Sequence, residues 1–172
     1  MTRIVLSGAE SESDFDVLMQ VKCSSVLFTY MHLRKQKGHP LARRRKENPG
    51  MFVFLDSGGF TLRMQPDYLS KHGETVRSYA EDYLEWLYAN YKDISCAANI
   101  DMLDIDKQLT EWCDGELKKF EQETGVPVVY VWHAKYGVAE WESMCVKHRY
   151  IGFSSTDCDE SGANRSAMLA LA

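Results

Sequence analysis

An acid and two glycines directly follow an apolar run in the segment MFVFLDSGGFTL, residues 51–62. An unpaired buried carboxylate is costly, so Asp56 at the end of this run indicates the rim of an open crevice. Gly58 and Gly59 lack Cβ atoms, so a flat ligand can lie directly against the backbone, with Phe60 as a wall. The alternative is a tight turn that binds nothing. Because an acid and a serine precede the glycines, a binding site is an interpretation comparable to the tight turn.

Polar residues close other apolar runs as well. Asp101 ends ISCAANID at 94–101, and His133 ends VPVVYVWH at 126–133. The carboxyl ends of parallel strands open onto one crevice, where side chains from several strands converge. The sequence therefore predicts one pocket shared by Asp56, Asp101 and His133.

The apolar runs and the segments between them have different periodicities. Six near-continuous apolar runs, typical of parallel strands covered on both faces, lie at 3–9, 26–30, 51–56, 94–101, 126–133 and 150–155. Apolar residues that recur at spacings of three and four predict helices at 14–21, 76–91, 109–120 and 138–146.

This alternation predicts an α/β fold. The strands begin roughly 23 to 43 residues apart, near the ~30 residues per unit of a (β/α)8 barrel. About six units fill the sequence, so we expect residues 1–172 to form one domain. That domain would be a partial or truncated TIM-like barrel with parallel strands, without the C-terminal βα units. An open doubly wound sheet is the alternative, because a closed barrel of this type has eight strands.

Charge is unevenly distributed along the chain. The formal net charge is −5, yet residues 34–46 hold seven of the twenty Lys and Arg residues and no acid. The densest part, Arg43, Arg44, Arg45 and Lys46, would suit sequence-independent contacts to nucleic-acid phosphates. The alternative is a solvated loop and helix face.

Composition excludes several classes of protein. No apolar run approaches the roughly 20 residues that span a bilayer, so we expect a cytoplasmic protein that does not enter membranes. The five cysteines are an odd number without CxxC or CxxH spacing. We therefore expect reduced thiols, no metal site and no cofactor.

The segment FLDSGGFTL, residues 54–62, resembles the Asp-Ser-Gly-Gly-Phe element of the tRNA-guanine transglycosylases (queuine tRNA-ribosyltransferases). Further segments are similar to that family in the same order: LFTYMHL at 27–33, with Phe28 where the family usually has Asn, ANIDML at 98–103, GVPVVYVWHA at 125–134 and RYIGFSS at 149–155. The compact spacing most resembles the phage-type relatives that insert 7-deazaguanines into DNA.

The resemblance implies base exchange in nucleic acid, with DNA favoured over tRNA. A carboxylate attacks C1′ and displaces guanine, and a 7-deazaguanine then takes its place on the covalent glycosyl-enzyme intermediate. The implied setting is the cytoplasm, with a phage gene as one origin.

By position, the resemblance makes Asp56 the general acid/base for the departing or entering base. It makes Asp101 the acceptor for the N1–H and exocyclic amine of guanine. His133 is equally well explained as a structural histidine. The residues that would line the base are Ser57, Gly58, Gly59, Phe60, Asp101, His133 and Gly152.

In the family the nucleophilic aspartate lies well after the sixth strand, and the sequence ends at Ala172. Asp157, Asp159 and Glu160 are expected in a loop and not at the position of the nucleophile. We therefore expect an enzyme portion completed by a second chain or a homo-oligomer. The alternatives are a binding module without turnover and an α/β protein unrelated to base exchange.

Overall fold

The apolar runs form parallel strands in a computed structural model, which describes residues 4–8, 10–36, 40–102 and 106–154. The strands are β1 (Ser25–Thr29), β2 (Phe52–Asp56), β3 (Cys96–Ala98), β4 (Val128–Trp132) and β5 (Tyr150–Phe153). The chain divides into two compact units, residues 1–128 and 129–172.

Strand order in the first unit follows chain order. β1 and β2 pair in parallel along their whole length, which places Thr29 opposite Asp56. β2 pairs with β3 in the same direction. Leu6 forms a parallel bridge to Val26 of β1. This order is that of a βα barrel, whereas a doubly wound sheet reverses its order at a switch point. The predicted α/β fold with parallel strands is confirmed.

Two predicted strands are shorter than expected. The prediction of a full strand at 3–9 is wrong, because among its described residues Leu6 alone is bridged. Ile4 is 78 % exposed and Leu6 39 % exposed, so this run buries too little surface to hold an extended edge. The run at 94–101 forms only the three residues of β3, and Asp101 lies in the loop that follows.

Helices connect the strands. They are α1 (Glu12–Gln20), α2 (Tyr30–Leu33), α3 (Pro40–Glu47), α4 (Gly59–Met64), α5 (Val76–Asn90), α6 (Lys107–Thr124) and α7 (Gly137–Lys147). The helices predicted from periodicity correspond to α1, α5, α6 and α7. The short helices α2 and α4 begin at or just after the ends of β1 and β2, and this places their first turns beside the strand ends.

Capping residues set the start of the two long helices. The Thr75 hydroxyl accepts the N–H of Ser78, and the Ser78 hydroxyl accepts the N–H of Thr75, so α5 begins with a reciprocal capping box. The Asp106 carboxylate accepts the N–H of Leu109 at the start of α6.

The core of the first unit lies between β2, β3 and α5. Val53 and Leu55 of β2 have no exposed surface, and neither do Tyr79, Tyr83 and Leu87 of α5. The aromatic stripe of α5 is therefore buried core, as its spacing predicts. It also carries polar groups, since both tyrosine hydroxyls donate to the carbonyls of strand-end residues, as described below.

The second unit contains a parallel pair, β4 and β5, with α7 between them in the chain. The Trp132 ring lies edge-on to Trp141, with ring centroids 5.6 Å apart, and Trp141 stacks on Phe153. These aromatic contacts join α7 to both strands.

Candidate functional site

Hydrogen bonds tie the segment after β2 to the segment after β3. The Ser57 hydroxyl donates to the carbonyl of Asn99 at 2.7 Å, and both residues are buried. The Tyr79 hydroxyl of α5 donates to the carbonyl of Ser57 at 2.6 Å, and Tyr83 donates to that of Ala98 at 2.8 Å. The ends of these two strands are thus held side by side by groups that are satisfied within the fold.

Gly58 is required by the backbone as well as by space. Its φ of +83° lies in the left-handed region that favours glycine. A Cβ at this position would lie 2.8 Å from the Tyr79 hydroxyl and 3.1 Å from Cβ of Met31. The first glycine after Asp56 therefore has a structural role that needs no ligand.

Gly59 is different, because its neighbour is the candidate recognition residue. Its φ is not positive, and a Cβ there would meet the backbone N and O of Asp101 at an ordinary 3.6 Å. Gly59 thus packs directly against the Asp101 segment, and contact between its backbone and a flat ligand stays a prediction. Phe60, which follows at the start of α4, is 52 % exposed, so its ring has a free face.

Asp101 is buried and ion-paired. Its side chain is 9 % exposed, and Arg63 Nη2 lies 2.7 Å from Oδ2. The same nitrogen donates to the Asp101 carbonyl at 3.2 Å. Sequence reasoning missed Arg63, although it lies one turn of α4 beyond Gly59 and so on the same helix face. The cation balances the buried negative charge of Asp101.

Asp56 is largely buried at the end of β2, and burial raises the pKa of its carboxyl above the ordinary value. The N–H of Gly58 donates to Oδ2 at 3.1 Å. That bond and one from the Thr29 side chain oppose the shift, while the charge of Glu10 adds to it. A carboxyl that retains its proton above the usual pH range is suited to giving a proton to a leaving group.

The raised pKa predicts how Asp56→Asn changes stability with pH. As pH rises past the unfolded-state pKa, the unfolded chain ionises Asp56 first, so wild-type stability falls until the folded-state pKa is passed. Asparagine does not ionise, so Asp56→Asn does not lose stability in this way, and its side-chain oxygen can still accept the Gly58 N–H. The stability of Asp56→Asn relative to wild type should therefore increase with pH across that window and then level off, as measured by urea unfolding from pH 4 to 8. A difference that stayed constant or fell with pH would contradict the raised pKa.

The basic segment on α3 is only partly available to phosphates. Arg44 is 1 % exposed, so the prediction that it grips nucleic acid is wrong. Its guanidinium lies 4.6 Å from the Phe15 ring centroid and 5.2 Å from that of Phe28. Arg43 is exposed but pairs with Glu12. Charge counting cannot detect such partners, because they come from α1 and β1.

Arg44 instead binds the Glu10 segment, which contacts the end of β1 next to the candidate site. Its Nη2 donates to the Glu10 carbonyl at 3.2 Å, and the Glu10 carboxylate accepts the N–H of Thr29, which lies opposite Asp56. Arg44 thereby holds Glu10 in place, and the Glu10 carboxylate lies next to the end of β1. Arg45 is half-buried and Lys46 is exposed, and their contact with phosphates stays a prediction.

His133 and Gly152 both lie in the second unit. His133 is 4 % exposed, with its ring edge-on to Tyr136 at 5.3 Å. A Cβ at Gly152 would lie 3.1 Å from Val129 Cγ1 on the adjacent strand, which explains this glycine by packing. Their roles in contacting a base stay predictions. Asp157, Asp159 and Glu160 lie outside the described residues.

The described ranges contain no group of three or more His, Cys, Asp or Glu side chains placed to hold a metal ion. No helix within them is both long and apolar enough to cross a membrane. Four cysteines are free thiols, Cys23, Cys96, Cys113 and Cys145, and Cys158 lies outside the described part.

Comparison of the chain with protein-family models, with curated proteins and with solved structures found no match.

Proposed function

We propose that the chain binds a guanine-type base at the ends of β2 and β3, as part of a guanine transglycosylase that inserts a 7-deazaguanine into nucleic acid. The observation that carries the proposal is the placement of the Gly59 backbone against the Asp101 segment. An acid with a raised pKa, Asp56, lies three residues before that glycine. In this proposal Asp101 recognises the base and Asp56 handles its proton, and the two acids follow the neighbouring strands β3 and β2.

Recognition would fall to Asp101. A carboxylate accepts two hydrogen bonds from the N1–H and the exocyclic amine of guanine, whereas adenine offers an acceptor at N1. Arg63 binds one side of Asp101 and balances its charge, so the acid can accept donors without a net buried charge. The proposed selectivity for guanine follows from this donor and acceptor pattern.

Proton transfer would fall to Asp56. Displacement of guanine from C1′ leaves negative charge on the base, and a protonated carboxyl within reach relieves it. The reverse transfer activates the incoming 7-deazaguanine. The nucleophile is not assigned, because a third carboxylate would have to approach C1′. DNA is the favoured substrate, as the phage-type resemblance implies, and tRNA is the alternative.

A binding module without turnover is the second candidate. The observation that favours it is the ion pair between Arg63 and Asp101, which gives the acid a structural partner in the absence of any reaction. Such a module would hold the base or the nucleic acid and leave the glycosidic bond intact.

Radiolabelled guanine distinguishes these functions. The purified chain is incubated with labelled guanine and either double-stranded DNA or bulk tRNA, and label in the acid-insoluble fraction is counted. Base exchange predicts label in nucleic acid, with more in DNA. Binding of guanine without incorporation would support the module, and absence of both binding and incorporation would contradict each candidate.

A further inference from the structure

A cleft of about 460 Å³, with a mainly apolar lining and polar groups at its edges, lies beside the candidate site within the first unit. Its lining residues come from the start of α1, from α2 and from α4 with the turn after it: Glu10, Ser11, Met31, His32, Lys35, Gln36, Thr61, Gln65 and Tyr68. Its volume lies in the range of ordinary small-molecule sites, about 300–1,000 Å³.

Two of these residues connect the cleft to the strand ends. Met31 Cβ lies 3.1 Å from the position of a Cβ on Gly58. The carboxylate of Glu10 accepts the N–H of Thr29, which lies opposite Asp56 in the sheet. The cleft therefore lies next to the ends of β1 and β2.

The far side of the cleft carries hydrogen-bond donors and one available cation. Lys35 is exposed, and its ammonium contacts the hydroxyl of Tyr68 and lies 4.8 Å from the centroid of that ring. Within the described ranges Lys35 pairs with no carboxylate, in contrast to Arg34, which pairs with Glu74. His32 and Gln65, both exposed, add further hydrogen-bonding groups.

We infer that this cleft binds the phosphodiester next to the reacting nucleotide, with Lys35 as the principal phosphate contact. The inference rests on the proposed function, because it takes the base at Asp56 and Asp101 as the neighbouring nucleotide. A cation beside hydrogen-bonding groups and an aromatic ring is the combination that single-stranded nucleic acid uses, whereas Glu10 repels phosphate at the end nearest Asp56. The charge arrangement thus directs the phosphate towards Lys35 and leaves the base at the strand ends.

Lys35 should carry more of the salt dependence of nucleic-acid binding than Arg43 and Arg44. Two cations of the basic segment are less available to phosphates, because Arg44 is buried and Arg43 is ion-paired. The contribution of Lys35 to nucleic-acid binding should therefore be larger than its position at the edge of the basic segment predicts.

Fluorescence anisotropy with labelled guanine-containing oligonucleotides, one of single-stranded DNA and one of RNA with the same sequence, tests the inference. We expect Lys35→Gln to weaken binding by about 3- to 10-fold and to reduce the slope of log K against log salt by about 0.7. The matched control is Lys118→Gln, which removes the same charge from an exposed position of α6 and should leave both quantities unchanged. The difference between the DNA and RNA arms identifies the nucleic acid.

Equal effects of the two substitutions, or no binding of either oligonucleotide by the wild-type chain, would overturn the inference. Free guanine is measured separately by equilibrium dialysis and should bind Lys35→Gln as it binds wild type. Failure of guanine to bind the wild-type chain would overturn the proposed function, while the oligonucleotide result would still decide the role of Lys35.

Discussion

Asp56→Asn should lower the incorporation of guanine into nucleic acid by about 10²- to 10⁴-fold, the usual contribution of a general acid or base. Asparagine has nearly the same shape and keeps an oxygen for the Gly58 N–H, so the segment after β2 should retain its conformation. What is lost is the proton of a carboxyl whose pKa is raised by burial. The effect should therefore appear in turnover and not in folding.

The matched control is Asp67→Asn, an exposed acid in the turn after α4, which should incorporate guanine at the wild-type rate. Circular dichroism and urea unfolding establish that both variants fold. The raised pKa of Asp56 also predicts that Asp56→Asn gains stability relative to wild type as pH rises, so lost activity at neutral pH would not reflect a pH-dependent loss of folding. Incorporation by Asp56→Asn within about threefold of wild type would remove Asp56 from the mechanism.

Gly58→Ala should lower the free energy of unfolding by about 2–3 kcal/mol. A non-glycine residue in the left-handed region costs about 1–2 kcal/mol, and overpacking of a filled site adds about 1–3 kcal/mol, part of which relaxation recovers. The contact is severe because the added Cβ would lie 2.8 Å from the Tyr79 hydroxyl. That hydroxyl is itself fixed by its bond to the Ser57 carbonyl.

Gly73→Ala separates strain from crowding. Gly73 has a similar φ of +71°, but a Cβ there would have nothing within 4 Å, so Gly73→Ala should cost only about 1 kcal/mol. Combining Gly58→Ala with Tyr79→Phe should recover part of the Gly58→Ala loss, because the crowded oxygen is removed. Equal losses at Gly58 and Gly73, measured by urea unfolding, would show that contact with Tyr79 contributes nothing.

Local pattern predicted the elements that bury a regular face. α5 was expected at 76–91 and is found at Val76–Asn90, because its tyrosines and leucines recur with the helical period against the sheet. β2 was expected at 51–56 from a near-continuous apolar run and is found at Phe52–Asp56. The run at 3–9 has similar composition but packs poorly, so composition overestimated its strand.

Contacts distant in sequence could not be predicted in this way. Arg44 belongs to the densest run of positive charge, yet its environment comes from Phe15 and Phe28, 29 and 16 positions earlier in the chain. Nothing in the sequence distinguishes Arg63 from other basic helix residues, and its ion pair with Asp101 is seen only in the fold. In both cases the sequence shows the charge but not the residues that contact it in the fold.

The candidate site was predictable in part because strand ends are marked by the sequence itself. A carboxylate after an apolar run identified Asp56, and the same reasoning identified Asp101. The division of labour between the two glycines was not predictable. Gly58 adopts a left-handed backbone conformation beside Tyr79, whereas Gly59 packs directly against the backbone of Asp101.

Selective binding of guanine is the claim on which both the catalytic and the nucleic-acid proposals depend. Equilibrium dialysis with radiolabelled guanine, competed by unlabelled adenine, tests it directly on the wild-type chain and on Asp101→Asn. The account predicts saturable guanine binding that adenine displaces at least 100-fold less well than guanine does, and loss of that preference in Asp101→Asn. Equal competition by the two purines, or an unchanged preference in Asp101→Asn, would contradict it.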